Sequence, residues 1–138
     1  MNVTPYLFFN GTCEEALKFY EKVLGAKIEV MMRYKDMPGS TGQHPPELTE
    51  KLMHARMTIA GHLVMASDAP PERFNKPQGF DINLSVETPE EADRIFKSLS
   101  EGAQSVSMPI AETFWAHRFG ALVDKFGTPW MVNCEKKM

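Results

Sequence analysis

A chain of 138 residues with 43% hydrophobic and 24% charged residues has the size and composition of one compact globular domain or two small modules sharing a core. A net charge of −3 gives no basic patch, so nucleic acid is not an expected partner, and no apolar run of about 18 residues predicts a membrane span. Two cysteines are too few for a disulfide scaffold, and the first residues lack the pattern of a signal peptide. These features predict a cytoplasmic protein.

The first half of the chain begins with a strand and a helix. Val3 to Phe9 is a β-branched and aromatic run, which predicts a strand. Thr12-Cys-Glu-Glu15 predicts a capping box, and an apolar stripe at helical spacing follows it until Gly25. Lys27 to Tyr34 is a second strand candidate, and residues 35–51 read as a long loop rich in Pro, Gly and Ser.

Two further strands form a predicted hairpin. They run from Leu52 to Ile59 and from Leu63 to Ser67, and they are joined by a tight turn at Ala60-Gly61. This turn would place three residue pairs on one face: His54 with Ser67, Arg56 with Met65, and Thr58 with Leu63.

The second half repeats the pattern of the first. Phe80 to Val86 alternates polar and apolar residues, and Thr88-Pro-Glu-Glu91 is another capping box before a helical stripe. The helix starts differ by 88 − 12 = 76 residues and the hairpin glycines Gly61 and Gly127 by 127 − 61 = 66. The sequence therefore predicts one domain (1–138) made of two βαβββ modules, 1–68 and 79–138, joined by the linker 69–78.

Several motifs of the chain resemble those of one known family. They are Pro5-Tyr-Leu-Phe-Phe-Asn-Gly, Cys13-Glu-Glu-Ala, His54-Ala-Arg, Glu112-Thr-Phe-Trp-Ala-His and Asp124-Lys-Phe-Gly-Thr-Pro-Trp-Met-Val-Asn. From about Thr4 to Asn133 the chain resembles the PhnB-like branch of the vicinal-oxygen-chelate superfamily, which includes glyoxalases, bleomycin-resistance proteins and extradiol dioxygenases. The resemblance implies an α+β fold with curved mixed sheets around a central cavity and helices on the outer face.

The resemblance also bears on cofactors. Metal enzymes of this superfamily hold a divalent ion with four side chains, and the matching positions here are Pro5, Met65, Asp81 and Met131. Proline has no side-chain donor, a thioether suits Cu(I), and a single carboxylate cannot hold the ion. No metal and no cofactor are therefore expected. Some members of the branch carry a methyltransferase label, but no glycine-rich loop for an adenosyl cofactor is present here.

Strand alternation from these positions predicts the lining of the cavity. The inward residues would be Leu7, Phe9, His54, Arg56, Met65, Ser67, Asp81, Asn83, Met131 and Asn133. Apolar side chains with a few polar groups are typical of a small-molecule pocket. The alternative interpretation is that these side chains fill the interior between the sheets and leave no pocket.

The segment from Glu112 to His117 carries aromatic and titratable groups. Phe114, Trp115 and His117 are predicted to form a lip over the cavity mouth before a strand from Gly120 to Asp124, with Trp115 near the ligand. Glu112, at the start of this segment, is also predicted to be a site residue. Trp130 should instead point toward the helices and belong to the core.

Two classes of function stay open from the sequence. One is a small-molecule binding protein without a metal ion, and the other is an enzyme that uses His54, His117, Asp81 or Glu112 as acid, base or non-standard metal site. A purely structural partner protein is a third reading.

A homodimer is expected, with the linker long enough for the modules to swap. A thiol at a helix start can be reactive, but Cys13 is predicted to fill space.

Overall fold

The computed structural model describes residues 1–37 and 44–137, so residues 38–43 of the predicted loop lie outside the described residues. Within the described residues the chain forms eight strands and two α-helices. It divides into two compact units, Met1–Asn75 and Lys76–Met138. None of the described helices has the length and apolar character needed to cross a membrane.

The first unit is a four-stranded mixed sheet with one helix. Its elements are β1 (Tyr6–Phe9), α1 (Cys13–Leu24), β2 (Lys27–Arg33), β3 (Leu52–Ile59) and β4 (His62–Asp68). The strand order is β1-β4-β3-β2, with β1 parallel to β4 and the other pairs antiparallel.

The second unit has the same architecture. Its elements are β5 (Ile82–Ser85), α2 (Pro89–Ser100), β6 (Ser105–Ala111), β7 (Ala116–Val123) and β8 (Pro129–Glu135). The strand order is β5-β8-β7-β6, and β5 is parallel to β8. The predicted α+β fold of two mixed sheets and two helices is confirmed.

Helix α1 follows the predicted stripe but not the predicted cap. Gly25 ends the helix with φ 68°, and its N–H donates to the carbonyl of Tyr20. Thr12 makes no side-chain cap hydrogen bond, because its backbone (φ −114°, ψ 15°) is not in the extended region that turns a cap side chain toward the helix amides. Asp68 takes its place: one carboxylate oxygen accepts from the Cys13 amide at 2.9 Å and the other from the Leu52 amide at 3.0 Å. The predicted Thr12 capping box is wrong.

Since Asp68 binds the start of α1, it marks the helix face of the first sheet. Leu7 pairs with Ala66 and Phe9 with Asp68 on this face, and both side chains are buried, with 5% and 2% exposed. The prediction that Leu7 and Phe9 face the same way as Met65 is wrong. A shift of one residue moves every side chain of a strand to the other face, and here Tyr6 pairs with Met65.

The predicted β3–β4 hairpin is confirmed. Arg56 pairs with Met65 and Thr58 with Leu63. The turn residues Ala60 and Gly61 both have positive φ, at 51° and 83°, as a two-residue turn that matches the strand twist requires.

Helix α2 begins with the Thr88 hydroxyl bond of the predicted capping box and packs closely on β7. The Thr88 hydroxyl accepts from the Glu91 amide at 3.1 Å, and Pro89 occupies the first turn. A β-carbon placed on Gly120 would lie 2.6 Å from the Phe96 ring. This contact shows that Gly120 lies on the helix face of the second sheet and that the packing needs glycine there.

The core of the second unit is built around Trp130, whose predicted core position is confirmed. Trp130 is fully buried, and its indole N–H donates to the Asp124 carboxylate at 2.8 Å. The other oxygen of this buried carboxylate accepts from the amides of Phe126 at 2.8 Å and Thr128 at 3.0 Å. One side chain therefore holds both the β7–β8 turn and the largest core residue.

Candidate functional site

The face of the first sheet opposite α1 carries aromatic, cationic and sulfur-containing groups. We call it the first face. Strand register places on it Tyr6, Phe8, His54, Arg56, Met65 and Ser67. Tyr6, Met65 and Arg56 form one row across β1, β4 and β3. Four of the predicted site residues, His54, Arg56, Met65 and Ser67, thus share a face.

Tyr6 and His54 form a hydrogen-bonded pair on the first face. The Tyr6 hydroxyl lies 3.1 Å from Nδ1 of His54, and the two ring centroids are 5.8 Å apart. Phe8 extends this aromatic group, with its centroid 4.9 Å from that of Tyr6. Tyr6 was not among the predicted site residues because the opposite alternation was expected in β1; its pairing with Met65 places it on the first face.

Arg56 has no acidic partner among the described residues. Its guanidinium donates to the sulfur of Met65 at 3.7 Å, and it makes no ion pair with a described residue. Arg33 in the same unit differs, since it binds both carboxylate oxygens of Glu14 at 3.0 and 3.1 Å. Arg56 is therefore a partly buried cation whose charge is not compensated within the described residues.

The second sheet also has a face opposite its helix, which we call the second face. Register places on it Asn83, Ser85, Phe119, Met131 and Asn133. The Asn83 amide donates to the Ser85 hydroxyl at 2.8 Å. Asn133 is 8% exposed and donates to Glu135 at 3.1 Å, while its side-chain oxygen accepts no hydrogen bond from a described residue. Asp81, also predicted for the site, precedes β5 and is exposed.

The aromatic segment before β7 packs onto the second face. The ring of Trp115 lies 5.3 Å from that of Phe119, while Phe114 is 86% exposed. The prediction that His117 precedes the strand is wrong, since β7 begins at Ala116 and contains an exposed His117. Thr113 explains the early start, because its hydroxyl accepts from the Ala116 amide at 3.0 Å and closes the turn.

Glu112 forms an exposed ion pair. Its carboxylate lies 2.8 Å from Nζ of Lys136, and the hydrogen bond from Lys136, followed by the charge of that ammonium, lowers the pKa of Glu112. A carboxyl group with a lowered pKa stays ionised at neutral pH. Glu112 is therefore unsuited to act as a general acid.

The residues at the superfamily's metal positions do not fit a divalent ion. Met65 pairs with Tyr6 and Met131 with Asn83 in the sheets. A thioether beside a phenol or an amide is a poor donor set for Zn, Ni, Mn or Fe(II). The described residues contain no group of three or more His, Cys, Asp or Glu side chains that could hold a metal.

A polar cleft of about 380 Å³ lies at the start of α1. Its lining residues are Gly11, Glu14, Glu15, Arg33, Glu50, Lys51, Leu52 and Asp68. Several of the charged groups there bind one another or the backbone: Arg33 binds Glu14, Lys51 donates to the Gly11 carbonyl at 2.9 Å, and Asp68 accepts from two amides. These bonds indicate that the charged groups of the cleft stabilise the fold.

Cys13 is not a reactive thiol. Its side chain is buried, and burial, followed by the negative charges of Asp68 and Glu14, raises the pKa of the thiol far above its usual range. The predicted packing role of Cys13 agrees with this environment.

The order of strand, helix and three strands in each unit defines the class of protein. A glyoxylase/bleomycin resistance protein/dioxygenase domain from Frankia sp. EAN1pec shares the fold with a TM-score of 0.65 at 16% sequence identity, over 99% of this chain and 98% of that chain. The fold is that of the vicinal-oxygen-chelate superfamily.

Within this class, the family model described as 3-demethylubiquinone-9 3-methyltransferase matches residues 1–133. The chain therefore belongs to this family, the PhnB-like branch that its motifs predicted.

Three proteins illustrate how similar members of this group are to the chain. Protein YjdN of Escherichia coli (strain K12) is 36% identical over 146 residues, covering 99% of this chain and 97% of that protein. Protein PA1353 from Pseudomonas aeruginosa is 41% identical with a TM-score of 0.88, over 99% of both chains. The PhnB protein from Bacillus cereus is 26% identical with a TM-score of 0.81, over 97% of this chain and 99% of that one.

Proposed function

We propose that this protein binds a small organic molecule without a metal ion, and that the first face and the second face are each a surface suited to such a ligand. The observation that carries the proposal is the first face itself. There a hydrogen-bonded Tyr6–His54 pair and an uncompensated Arg56 surround Met65, at a position where related enzymes hold a metal ligand. Aromatic and thioether surface with a few placed polar groups is the usual make-up of a ligand site.

The second face supports the same proposal. Asn133 keeps a buried side-chain oxygen without a hydrogen-bond donor among the described residues, and Trp115 covers Phe119 beside it. A buried polar atom without a partner is costly unless another group satisfies it. A ligand donor is one such group, and Trp115 would add aromatic contact area to it.

Native mass spectrometry of the purified protein, together with elemental analysis, tests this proposal. We expect a co-purified organic mass and no stoichiometric metal. Replacing His54 with Ala should lower the occupancy of that mass, whereas replacing the exposed His62 with Ala should leave it unchanged. About one Zn, Ni, Mn or Fe per chain, lost on mutating Asp81, would contradict binding without a metal.

An enzyme is the second candidate, and the Tyr6–His54 hydrogen bond is the observation that favours it. When Nδ1 of His54 donates its hydrogen to the Tyr6 oxygen, Nε2 of the neutral ring has a free lone pair and is suited to act as a general base. Asp81 and His117 are exposed and Glu112 is paired with Lys136, which makes His54 the leading candidate among the four. Incubating the co-purified compound with the protein should then change its mass, and His54→Ala should abolish the change. An unchanged compound favours the binding protein.

We also propose that the protein is a homodimer, with module swapping as one way to form it. Each sheet ends in a strand with exposed apolar side chains: Val30 and Met31 on β2, and Val106 and Met108 on β6. Unpaired apolar edges favour association. Light scattering should give about twice the chain mass of 15.6 kDa at micromolar concentration, and a mass of 15.6 kDa would refute the dimer.

A reducing, cytoplasmic location is part of the proposal. Cys13 and Cys134 are both free and buried. Thiols in this state are the rule in reducing compartments. Fractionation of cells followed by detection of the protein would check the location.

A further inference from the structure

We infer that the first face recognises an anionic group, a carboxylate or a phosphate, on the ligand, and that Arg56 is its main contact, with His54 and Tyr6 beside it. The inference rests on the proposed function and names the chemical class of the ligand. It depends on the charge of the first face and on the geometry of its donors.

Arg56 differs from the other arginines of the chain. Three arginines are partly buried, and two of them pair with carboxylates: Arg33 with Glu14 at 3.0 Å and Arg118 with Asp93 at 2.7 Å. Among the described residues Arg56 has no such partner, and it lies between Met65 and Val30 in the register of the sheet. Apolar neighbours lower the local dielectric, so an anion gains more from this charge than from one in water.

His54 adds a second donor next to Arg56. The two residues are two positions apart on β3, so their side chains leave the same face about 6.6 Å from each other along the strand. When the Tyr6 hydroxyl donates to Nδ1, the ring hydrogen of neutral His54 is on Nε2, and protonated His54 also carries a hydrogen there. In these two states Nε2 donates, whereas a neutral ring that carries its hydrogen on Nδ1 presents Nε2 as an acceptor; the Tyr6 bond orients the ring in each case.

The first face has no acidic side chain among its six defining residues, and Glu29, at the β2 bulge before Val30, makes no ion pair with a described residue. Its members Tyr6, Phe8, His54, Arg56, Met65 and Ser67 are aromatic, basic, thioether or hydroxyl side chains. Asp68, the acidic residue of β4, lies on the helix face and is satisfied by two amides. The planar fork of a guanidinium matches two oxygens of a carboxylate or phosphate, and the rings of Tyr6 and Phe8 provide apolar contact for the rest of the ligand.

The test compares charged and neutral probes of the same shape. Benzoate and phenyl phosphate are titrated against benzamide and benzyl alcohol, and binding is followed by the NMR signals of the Arg56 side chain and the His54 ring. We expect the anions to shift both signals and to bind roughly tenfold or more tightly than the neutral probes, as a charge-assisted hydrogen bond predicts. Comparing benzoate with phenyl phosphate tells which anion the site prefers.

Matched variants assign the effect to Arg56. Arg56→Gln should weaken benzoate binding about tenfold or more, while Arg73→Gln, a change at an exposed arginine, should leave it unchanged. Arg56→Lys keeps the charge but loses the planar fork, so its affinity for benzoate should lie between those of Arg56→Gln and Arg73→Gln. Circular dichroism of each variant checks that it is folded.

Three results would overturn the inference. Equal shifts from benzamide and benzoate would show that the face binds small molecules, as the proposed function says, without selecting anions. Equal effects of Arg56→Gln and Arg73→Gln would remove Arg56 from the site. Absence of any shift on the first face at millimolar anion would reject the anion site, while the co-purified mass still decides the proposed function separately.

Discussion

The two units share their element bounds but not the faces of their first strands. Adding 76 to β1 (Tyr6–Phe9) gives β5 (Ile82–Ser85), and adding 76 to α1 gives α2. Leu7 on β1 is nevertheless buried against the helix side, whereas Asn83, its counterpart at 7 + 76, is exposed. The registers explain this, because Tyr6 pairs with Met65 and Asn83 pairs with Met131. Alignment of two repeats therefore does not fix which face a strand residue occupies.

The two units also place a buried carboxylate differently. Asp68 ends β4 and joins the start of α1 to the start of β3, which are far apart in sequence. Asp124 follows β7 and holds groups two to six residues away. The first unit thus depends on a long-range carboxylate, whereas the second depends on a local one.

The largest expected effects come from removing these carboxylates. Asp124→Ala removes three charge-assisted hydrogen bonds and should lower the free energy of unfolding by at least about 4.5 kcal/mol. Asp68→Ala removes two and should lower it by at least about 3 kcal/mol. In both variants buried donors are left without a partner. Chemical denaturation measures both, with Asp93→Ala, an exposed ion-pair partner, as the control expected to cost under about 1 kcal/mol. A cost for Asp68→Ala equal to the control would show that the long-range link contributes nothing.

The two tryptophans of the second unit should differ in what they support. Trp130→Ala should cost about 3–5 kcal/mol, because it empties a fully buried site and frees an oxygen of Asp124. Trp115→Ala should cost under about 1 kcal/mol, since its ring is partly exposed, but it should weaken ligand binding. Thermal unfolding and ligand occupancy in native mass spectra separate these effects. If Trp115→Ala lost more stability than Trp130→Ala, Trp115 would be the structural residue.

One position on the helix faces of β3 and β7 holds alanine in the first unit and glycine in the second. Arg56 pairs with Met65 and Ala121 with Met131, so the preceding residues Ala55 and Gly120 correspond. Gly120→Ala should cost about 1–3 kcal/mol, because the added methyl overlaps the Phe96 ring.

The reverse change supplies the control for this position. Ala55→Gly should cost about 1 kcal/mol or less through backbone entropy. If a Gly120→Ala variant is as stable as the parent protein in denaturant, α2 can move away from β7 without cost.

The smallest effect concerns the two helix starts. Thr88→Ala should lower stability by about 1 kcal/mol, because its hydroxyl caps α2. Thr12→Ala should change stability by a few tenths of a kcal/mol at most, since Asp68 caps α1 instead. Equal losses in urea titrations of the two variants would show that Thr12 caps its helix in solution.

The sequence was sufficient for the order of the elements because local patterns determine it. The helical stripes, the glycine after α1 and the Ala60-Gly61 turn each depend on residues within a few positions of one another. The parts it missed depend on distant residues. The Thr12 motif satisfies the rule for a capping box, but Asp68, 55 residues beyond Cys13, provides the cap.

The candidate site shows the same limit within one short strand. All four residues of β1, Tyr6 to Phe9, are apolar or aromatic, so either alternation looks equally plausible from the sequence. In β5 the polar Asn83 and Ser85 marked the face opposite the helix, and that assignment agrees with the register. The pairing of Tyr6 with Met65 shows that Tyr6 and Phe8, and not Leu7 and Phe9, share a face with His54 and Arg56.

The position of Asp68 has a consequence for the order of folding. Helix α1 lacks its cap until β4 has docked, and closing a loop of 55 residues has an entropic cost that must be met first. Helix α2 carries its own cap three residues away and can form early. We expect Thr88→Ala to slow refolding and Asp68→Asn mainly to speed unfolding in stopped-flow experiments. During synthesis the first helix would then stay labile until residue 68 has left the ribosome.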